Sequence, residues 1–113
     1  IMLTAEYYIS SGWELTDICN DLIQNARIAF LRREQFPLIE LVAPIDEESP
    51  VVNTLDKSGV SPYHICYEVN DIELRKKKFV ALFKPVPAVA LNNKLICYLY
   101  NKSVGLIELV SQD

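Results

Sequence analysis

At 113 residues the chain is long enough for one real hydrophobic core and too short for two independent ones. Half of its residues are hydrophobic and 23% are charged, which excludes an intrinsically disordered chain. The net charge is −4, with Lys and Arg scattered apart from Lys76-Lys77-Lys78, which argues against nucleic acid as the main partner; no apolar run approaches the roughly 20 residues of a membrane span.

Residues 1–12 predict a helix, with Leu3, Tyr7 and Tyr8 on one side at helical spacing and Gly12 as its stop. Residues 13–19 predict a strand weakened by Asp17, and Asn20-Asp21 with Asn25 mark a turn. Strands follow over 26–32 and 36–43, with a turn at 33–35 between them and Pro37 at the start of the second. Ser49 is placed as N-cap, and Pro50 as first residue, of a short helix over 51–57 that stops at Gly59. Residues 63–69 predict a strand. Asn70 or Asp71 then caps a helix running to about Ala81, with the three lysines on its solvated face. A strand over 84–91 interrupted by Pro85 and Pro87, a tight turn at Asn92-Asn93, and strands over 94–100 and 105–110 complete the chain. Cys19, Cys66 and Cys97 are odd in number and far apart, with no Cys-x-x-Cys pair. Two of them sit in apolar strand-like runs, as buried free thiols do, so a reducing, cytoplasmic protein without structural disulfides is expected.

One pentapeptide occurs twice. Leu38-Ile39-Glu40-Leu41-Val42 returns as Leu106-Ile107-Glu108-Leu109-Val110, and the run upstream, Ile28-Ala29-Phe30-Leu31, returns as Ile96-Cys97-Tyr98-Leu99 at the same separation. Two copies at this long period point to a duplicated module rather than a solenoid. An ionised carboxylate inside a run of Leu, Ile and Val is costly unless it is paired, hydrogen-bonded or metal-bound. Glu40 and Glu108 therefore either occupy the exposed positions of half-buried strands or carry a function.

The second copy reads strand, helix, strand, strand, strand. The first has the helix and three strands and nothing corresponding to 63–69. A segment upstream of Ile1 is expected to form that missing strand. The predicted fold class is α+β: a single domain over 1–113 made of two tandem βαβββ modules, 1–44 and 62–113, linked by 45–61 and forming a cupped mixed sheet.

His64-Ile65-Cys66-Tyr67-Glu68-Val69-Asn70-Asp71-Ile72, the two Leu-Ile-Glu-Leu-Val runs, and Ala43-Pro44 with Glu48-Ser49-Pro50 together resemble the vicinal oxygen chelate superfamily. That superfamily includes glyoxalase I, methylmalonyl-CoA epimerase, extradiol dioxygenases and the bleomycin-resistance proteins, and the resemblance covers almost the whole chain. It implies that each module supplies two metal ligands, one from its first strand and one from its last. Carried over, these are His64 and Glu108 from the second module and Glu40 from the first, with a fourth ligand on the strand expected upstream. Such a set holds a divalent ion that stabilises the enediolate formed when a proton leaves the carbon beside a carbonyl. The donors suit Zn²⁺, Ni²⁺, Co²⁺, Mn²⁺ or Fe²⁺ without choosing among them.

The resemblance implies a metal-dependent isomerase or lyase of the glyoxalase or methylmalonyl-CoA epimerase kind, acting on a small molecule such as a thiol- or CoA-conjugated carbonyl compound; a homodimer is expected because each module leaves an exposed sheet edge. The alternative is a non-catalytic small-molecule-binding protein of the bleomycin-resistance type. One departure bears on the reaction. Epimerases carry a catalytic glutamate just before the strand equivalent to 26–32, and here that region reads Asn20-Asp21-Leu22-Ile23-Gln24-Asn25. Asp21 is offset and in a turn-forming context, so the glyoxalase pattern, in which a metal-bound carboxylate moves the proton, assigns that role to Glu108 or Glu40. The competing readings are structural. A lone histidine in an apolar strand is more often a hydrogen-bonded core residue. Cys66 and Glu68 share the strand parity of His64, but Glu68 is equally suited to solvent. Tyr63, Tyr67, Tyr98 and Tyr100 either line a pocket or pack the sheet.

Overall fold

Ala26–Arg32 (β3) has apolar side chains at five of its seven positions, and all five are buried, as in a strand covered on both faces. A computed structural model of the chain describes residues 1–112, with backbone only for 74 and 75. It places β3 inside a four-stranded antiparallel sheet between β4 (Ile39–Pro44) on one side and two short strands, β1 (Glu14–Leu15) and β2 (Cys19–Asp21), on the other. The single strand expected over 13–19 is thus two pieces. The break is at Thr16, whose N–H donates to the Phe30 carbonyl at 2.9 Å while its Oγ1 accepts the Phe30 N–H at 2.9 Å. A hydroxyl has replaced a backbone acceptor, and the ladder parts there. β4 begins three residues later than expected, beyond Pro37, which has no N–H to offer a ladder.

Helix α1 (Met2–Ser10) ends at Gly12, whose φ of +96° suits a residue without Cβ. Its inward face differs from the one expected. Leu3 and Tyr7 are exposed, and the stripe that turns in is Ile1, Thr4, Ala5 and Tyr8, with Ala5 fully buried. Tyr8 lies edge-on to Trp13 at 5.8 Å, and Trp13 meets Phe36 at 5.6 Å, which ties the end of α1 to the β3–β4 turn.

The chain divides into two compact units, Ile1–Lys57 and Ser58–Asp113. Helix α2 (Pro50–Ser58) starts where expected, with Ser49 Oγ accepting the Val51 N–H at 3.3 Å.

In the second unit β5 (Ile65–Val69) runs parallel to β9 (Gly105–Ser111), and β9 runs antiparallel to β8 (Lys94–Asn101). The outer edge of β8 takes β6 (Val80–Ala81) at one end and β7 (Val86–Ala88) at the other. The order is strand, helix, broken strand, strand, strand. The first unit has the same order after its helix, and the registers agree: Ile28 faces Val42 and Phe30 faces Glu40, as Ile96 faces Val110 and Tyr98 faces Glu108.

Helix α3 (Ile72–Arg75) is capped by Asp71, whose carboxylate accepts the Glu73 N–H at 2.9 Å, and it is much shorter than the helix expected to reach about Ala81. Lys76-Lys77-Lys78 form a turn, not a helical face, and Lys78 sits at φ +70°. Phe79 packs on the buried cluster below, and Val80 and Ala81 are claimed by β8, so tertiary pairing overrides helical propensity. Val89–Leu91 form a 3₁₀ turn in place of the end of the strand expected over 84–91, so the tight turn expected at Asn92-Asn93 is instead the end of a longer connection, residues 89–93, between paired Ala88 and Lys94; Asn92 and Asn93 sit there at φ +57° and +61°, the left-handed region that asparagine tolerates.

β8 and β9 carry a core on both faces. Cys97, Leu99 and Leu109 pack with Val69 and Ile72 on one face, and Ile96 and Val110 with Ala88 on the other. Burial pushes the Cys97 thiol up from its ordinary range. Cys66, expected to be buried, is exposed, because β5 is the edge strand of its sheet.

Candidate metal centre

Along β9 side chains alternate, so Ile107 and Leu109 face α3 and its cluster while Glu108 and Val110 face the other way. Parallel pairing sets Cys66 opposite Glu108. His64, two residues earlier, points to the same face as Cys66 and stands just ahead of the ladder, since β5 begins at Ile65 and not at residue 63. This pairing brings together two side chains 44 residues apart. His64 Nε2 lies 3.0 Å from Glu108 Oε1, with side-chain exposures of 7% and 4%. The other imidazole nitrogen, Nδ1, is buried and has no hydrogen-bond partner among the described residues.

Two donors each about 2.1 Å from one ion, and at right angles around it, lie about 3 Å from each other. The His64–Glu108 separation matches that spacing, and imidazole with carboxylate is a donor pair that first-row divalent ions accept. The pair therefore fits a metal ion.

Glu40 occupies β4 in the first unit, half-buried and directly opposite Phe30, the position that Glu108 holds opposite Tyr98 in the second. Glu68 does not join His64. It is exposed and pairs with Lys94 Nζ at 3.6 Å. A hollow of about 380 Å³ lined by Tyr67, Val69, Phe79, Ile107 and Leu109 lies on the α3 face of the sheet, away from His64 and Glu108.

Tyr98 and Tyr63 are close to the imidazole. The Tyr63 ring meets His64 at 4.4 Å and the Tyr98 ring meets it at 5.1 Å, both edge-to-face, and Phe83 backs Tyr98 at 5.5 Å. Such pairs contribute about 0.5–1.5 kcal/mol each beyond their buried area. The signal in the sequence is the repeat, which aligns Tyr98 with Phe30 and so places an aromatic residue across from each glutamate.

Asp21 is 1% exposed and has all its partners within one turn. Its Oδ1 accepts the N–H groups of Ile23 and Gln24, both at 3.0 Å, and its Oδ2 accepts Gln24 Nε2 at 2.7 Å. This is a hairpin staple. Asp21→Ala is expected to cost about 1–3 kcal/mol in urea denaturation, the usual consequence of orphaning buried donors, and to leave metal content unchanged.

The model of the glyoxalase/bleomycin resistance protein/dioxygenase superfamily matches residues 3–98. The chain belongs to this superfamily. Over 107 residues it is 35% identical to the mitochondrial methylmalonyl-CoA epimerase of Dictyostelium discoideum, covering 87% of this chain and 63% of that protein, so it spans less than two thirds of that relative's length. Among solved structures it resembles methylmalonyl-CoA epimerase from Mycobacterium tuberculosis, with a TM-score of 0.83 at 26% identity over 99% of this chain and 80% of that one. It also resembles a methylmalonyl-CoA epimerase in complex with methylmalonyl-CoA and ammonium, with a TM-score of 0.81 at 25% identity over 98% of this chain and 85% of that one. The α+β architecture is the glyoxalase-like fold of this superfamily. No helix among the described residues is long and apolar enough to cross a membrane.

Proposed function

We propose that this superfamily member is a metal-dependent isomerase or lyase that moves a proton on the carbon beside a carbonyl, with a CoA- or other thiol-conjugated acyl compound as substrate. The observation that carries this reading is the buried His64–Glu108 pair, an imidazole and a carboxylate 3.0 Å apart at the spacing of two donors to one ion. We assign His64 and Glu108 as ligands, and Glu40 as a third because it holds in the first copy of the repeat the strand position that Glu108 holds in the second. The similarity to epimerases, one of them bound to methylmalonyl-CoA, supports the substrate class.

When bound, the divalent ion would supply Lewis-acid stabilisation of the negative charge that develops on the substrate carbonyl oxygen. His64 binds through Nε2. Glu108, in a strand that excludes water from all but 3% of its surface, takes the proton from carbon. Glu40, its counterpart in the other copy of the repeat, is the alternative carrier of that proton, and whichever carboxylate takes the proton gives it back to the carbon. The lack of a glutamate around the Asp21 staple favours this assignment over a separate base on the hairpin. That Cys19, Cys66 and Cys97 form no disulfide among the described residues supports a reducing compartment such as the cytoplasm, and the exposed edge strand β5 supports a homodimer.

The test uses full-length protein incubated with methylmalonyl-CoA in D₂O, with Zn²⁺, Ni²⁺, Co²⁺, Mn²⁺ and Fe²⁺ supplied in turn, and metal content read by mass spectrometry. The expected result is near-stoichiometric divalent metal and metal-dependent deuterium at the carbon beside the thioester carbonyl. No retained metal and no exchange with any ion overturns the proposal. A second reading, a small-molecule-binding protein, is favoured by the same stapled hairpin, and retained metal without exchange on any acyl thioester would select it.

A further inference from the structure

Among the described residues no side chain or carbonyl orients the His64 imidazole in the way usual for a ligating histidine. Such a residue donates its second ring N–H to a carboxylate, carbonyl or water, and this fixes the ring plane. His64 Nδ1 has no such partner among the described residues. The torsion that sets the ring plane is intrinsically broad, so something else must hold Nε2 toward Glu108.

Two tyrosine rings are placed to do so. Tyr63 precedes His64 in the chain and its ring lies 4.4 Å from the imidazole at 79°. Tyr98 reaches it from β8, two strands away, at 5.1 Å and 69°, and is itself held by Phe83 at 5.5 Å and 87°. Register explains why Tyr98 is there. It is the direct cross-strand partner of Glu108 on β9, so its ring rises on the face where His64 and Glu108 meet.

We infer that Tyr63 and Tyr98 are positioning residues that clamp the His64 ring by edge-to-face contact, in place of a hydrogen bond to Nδ1, and so set the affinity of the site for its metal. This rests on the ligand assignment made above for His64 and Glu108, and it assigns the two tyrosines a role through His64 rather than on the substrate. The phenol oxygens are not required for it, only the rings.

The test compares wild type with Tyr98→Phe, Tyr98→Leu and Tyr63→Leu in the full-length protein. Co²⁺ affinity is read by competition with a chromophoric chelator, and the His64 ring signals by NMR on the metal-free protein. His64 is the only histidine, so its ring resonances need no assignment. Loss of an orienting partner around a metal-bound histidine typically weakens binding about 10–100-fold, and the Leu variants are expected to fall in that range. Tyr98→Phe is expected to stay near wild type. In the metal-free protein, cross-relaxation between the His64 and Tyr98 rings should be present in wild type, persist in Tyr98→Phe, and give way in both Leu variants to ring shifts close to those of free imidazole.

Folded Leu variants with wild-type Co²⁺ affinity and unchanged His64 signals overturn the inference, as does a Tyr98→Phe variant as weak as Tyr98→Leu, which would make the hydroxyl the active group. If Tyr98→Leu does not fold, Tyr63→Leu, altered at a half-buried position ahead of the ladder, decides the matter. A wild type that binds no Co²⁺ defeats the ligand assignment, and the clamp is then decided by the metal-free ring signals alone.

Discussion

Glu108→Gln is expected to strip the protein of divalent metal and to cut deuterium exchange beside a thioester carbonyl by about a thousandfold, the scale of a lost general base. Glutamine keeps the volume of glutamate and can still hydrogen-bond His64 Nε2, so the 3%-exposed position stays filled and the fold persists. What is lost is the negative charge that makes the pair attractive to a cation and basic toward a carbon acid. Metal content by mass spectrometry, the exchange assay and a circular dichroism melt on the same preparation separate the effects. Full metal content and exchange in a folded Glu108→Gln protein would remove Glu108 from both roles. Loss of exchange with metal retained would keep Glu108 as base and leave binding to the other ligands.

The second large effect is on stability. Leu99 is fully buried on β8, packed with Val69, Ile72, Cys97 and Leu109. Removing its isobutyl group leaves a cavity over β8 and β9, which are hydrogen-bonded on both sides and poorly able to collapse inward. Leu99→Ala is expected to cost about 3 kcal/mol, within the usual range of about 2–5 for buried leucine, and to lower the melting temperature by roughly 10 °C. Leu99 faces α3, whereas His64 and Glu108 lie on the opposite face of the sheet, so metal affinity below the melting transition should change little. A urea titration followed by circular dichroism measures the first claim and chelator competition the second. A loss below about 1 kcal/mol would mean that the α3 face repacks freely.

The elements built from local chemistry are legible in the amino-acid order itself. β3, β4, β8 and β9 come from runs of Ile, Leu, Val and aromatic residues bounded by Asn, Gly and Pro. The start of α2 at Ser49-Pro50 and the left-handed pair Asn92-Asn93 come from the special backbone preferences of those residues. The duplication itself is a property of the letters, and identical cross-strand registers at Glu40 and Glu108 follow from it.

Where local pattern and fold disagree, a non-local partner intervenes. A helix reaching about Ala81 is reasonable from composition, but Val80 and Ala81 pair with Leu99 and Tyr100, and α3 stops at Arg75. The strand expected over 13–19 is broken by a hydroxyl that bonds to Phe30, fourteen residues away. The stripe expected on α1 is its largest apolar side chains, whereas small Ala5 is the residue that turns fully inward.

The residue types of the candidate site, and the segments that carry them, were determined by sequence: one histidine at the opening of a strand expected over 63–69 and one glutamate at the centre of each copy of the repeat. Tertiary structure decided which of these meet and how they are held. The parallel pairing of β5 with β9 bridges 44 residues to set His64 against Glu108, and the β8–β9 register brings Tyr98 beside them. Local preference sets the conformation of a strand but not its neighbour. That choice is made by burial of whole faces, and it depends on every strand in the sheet at once.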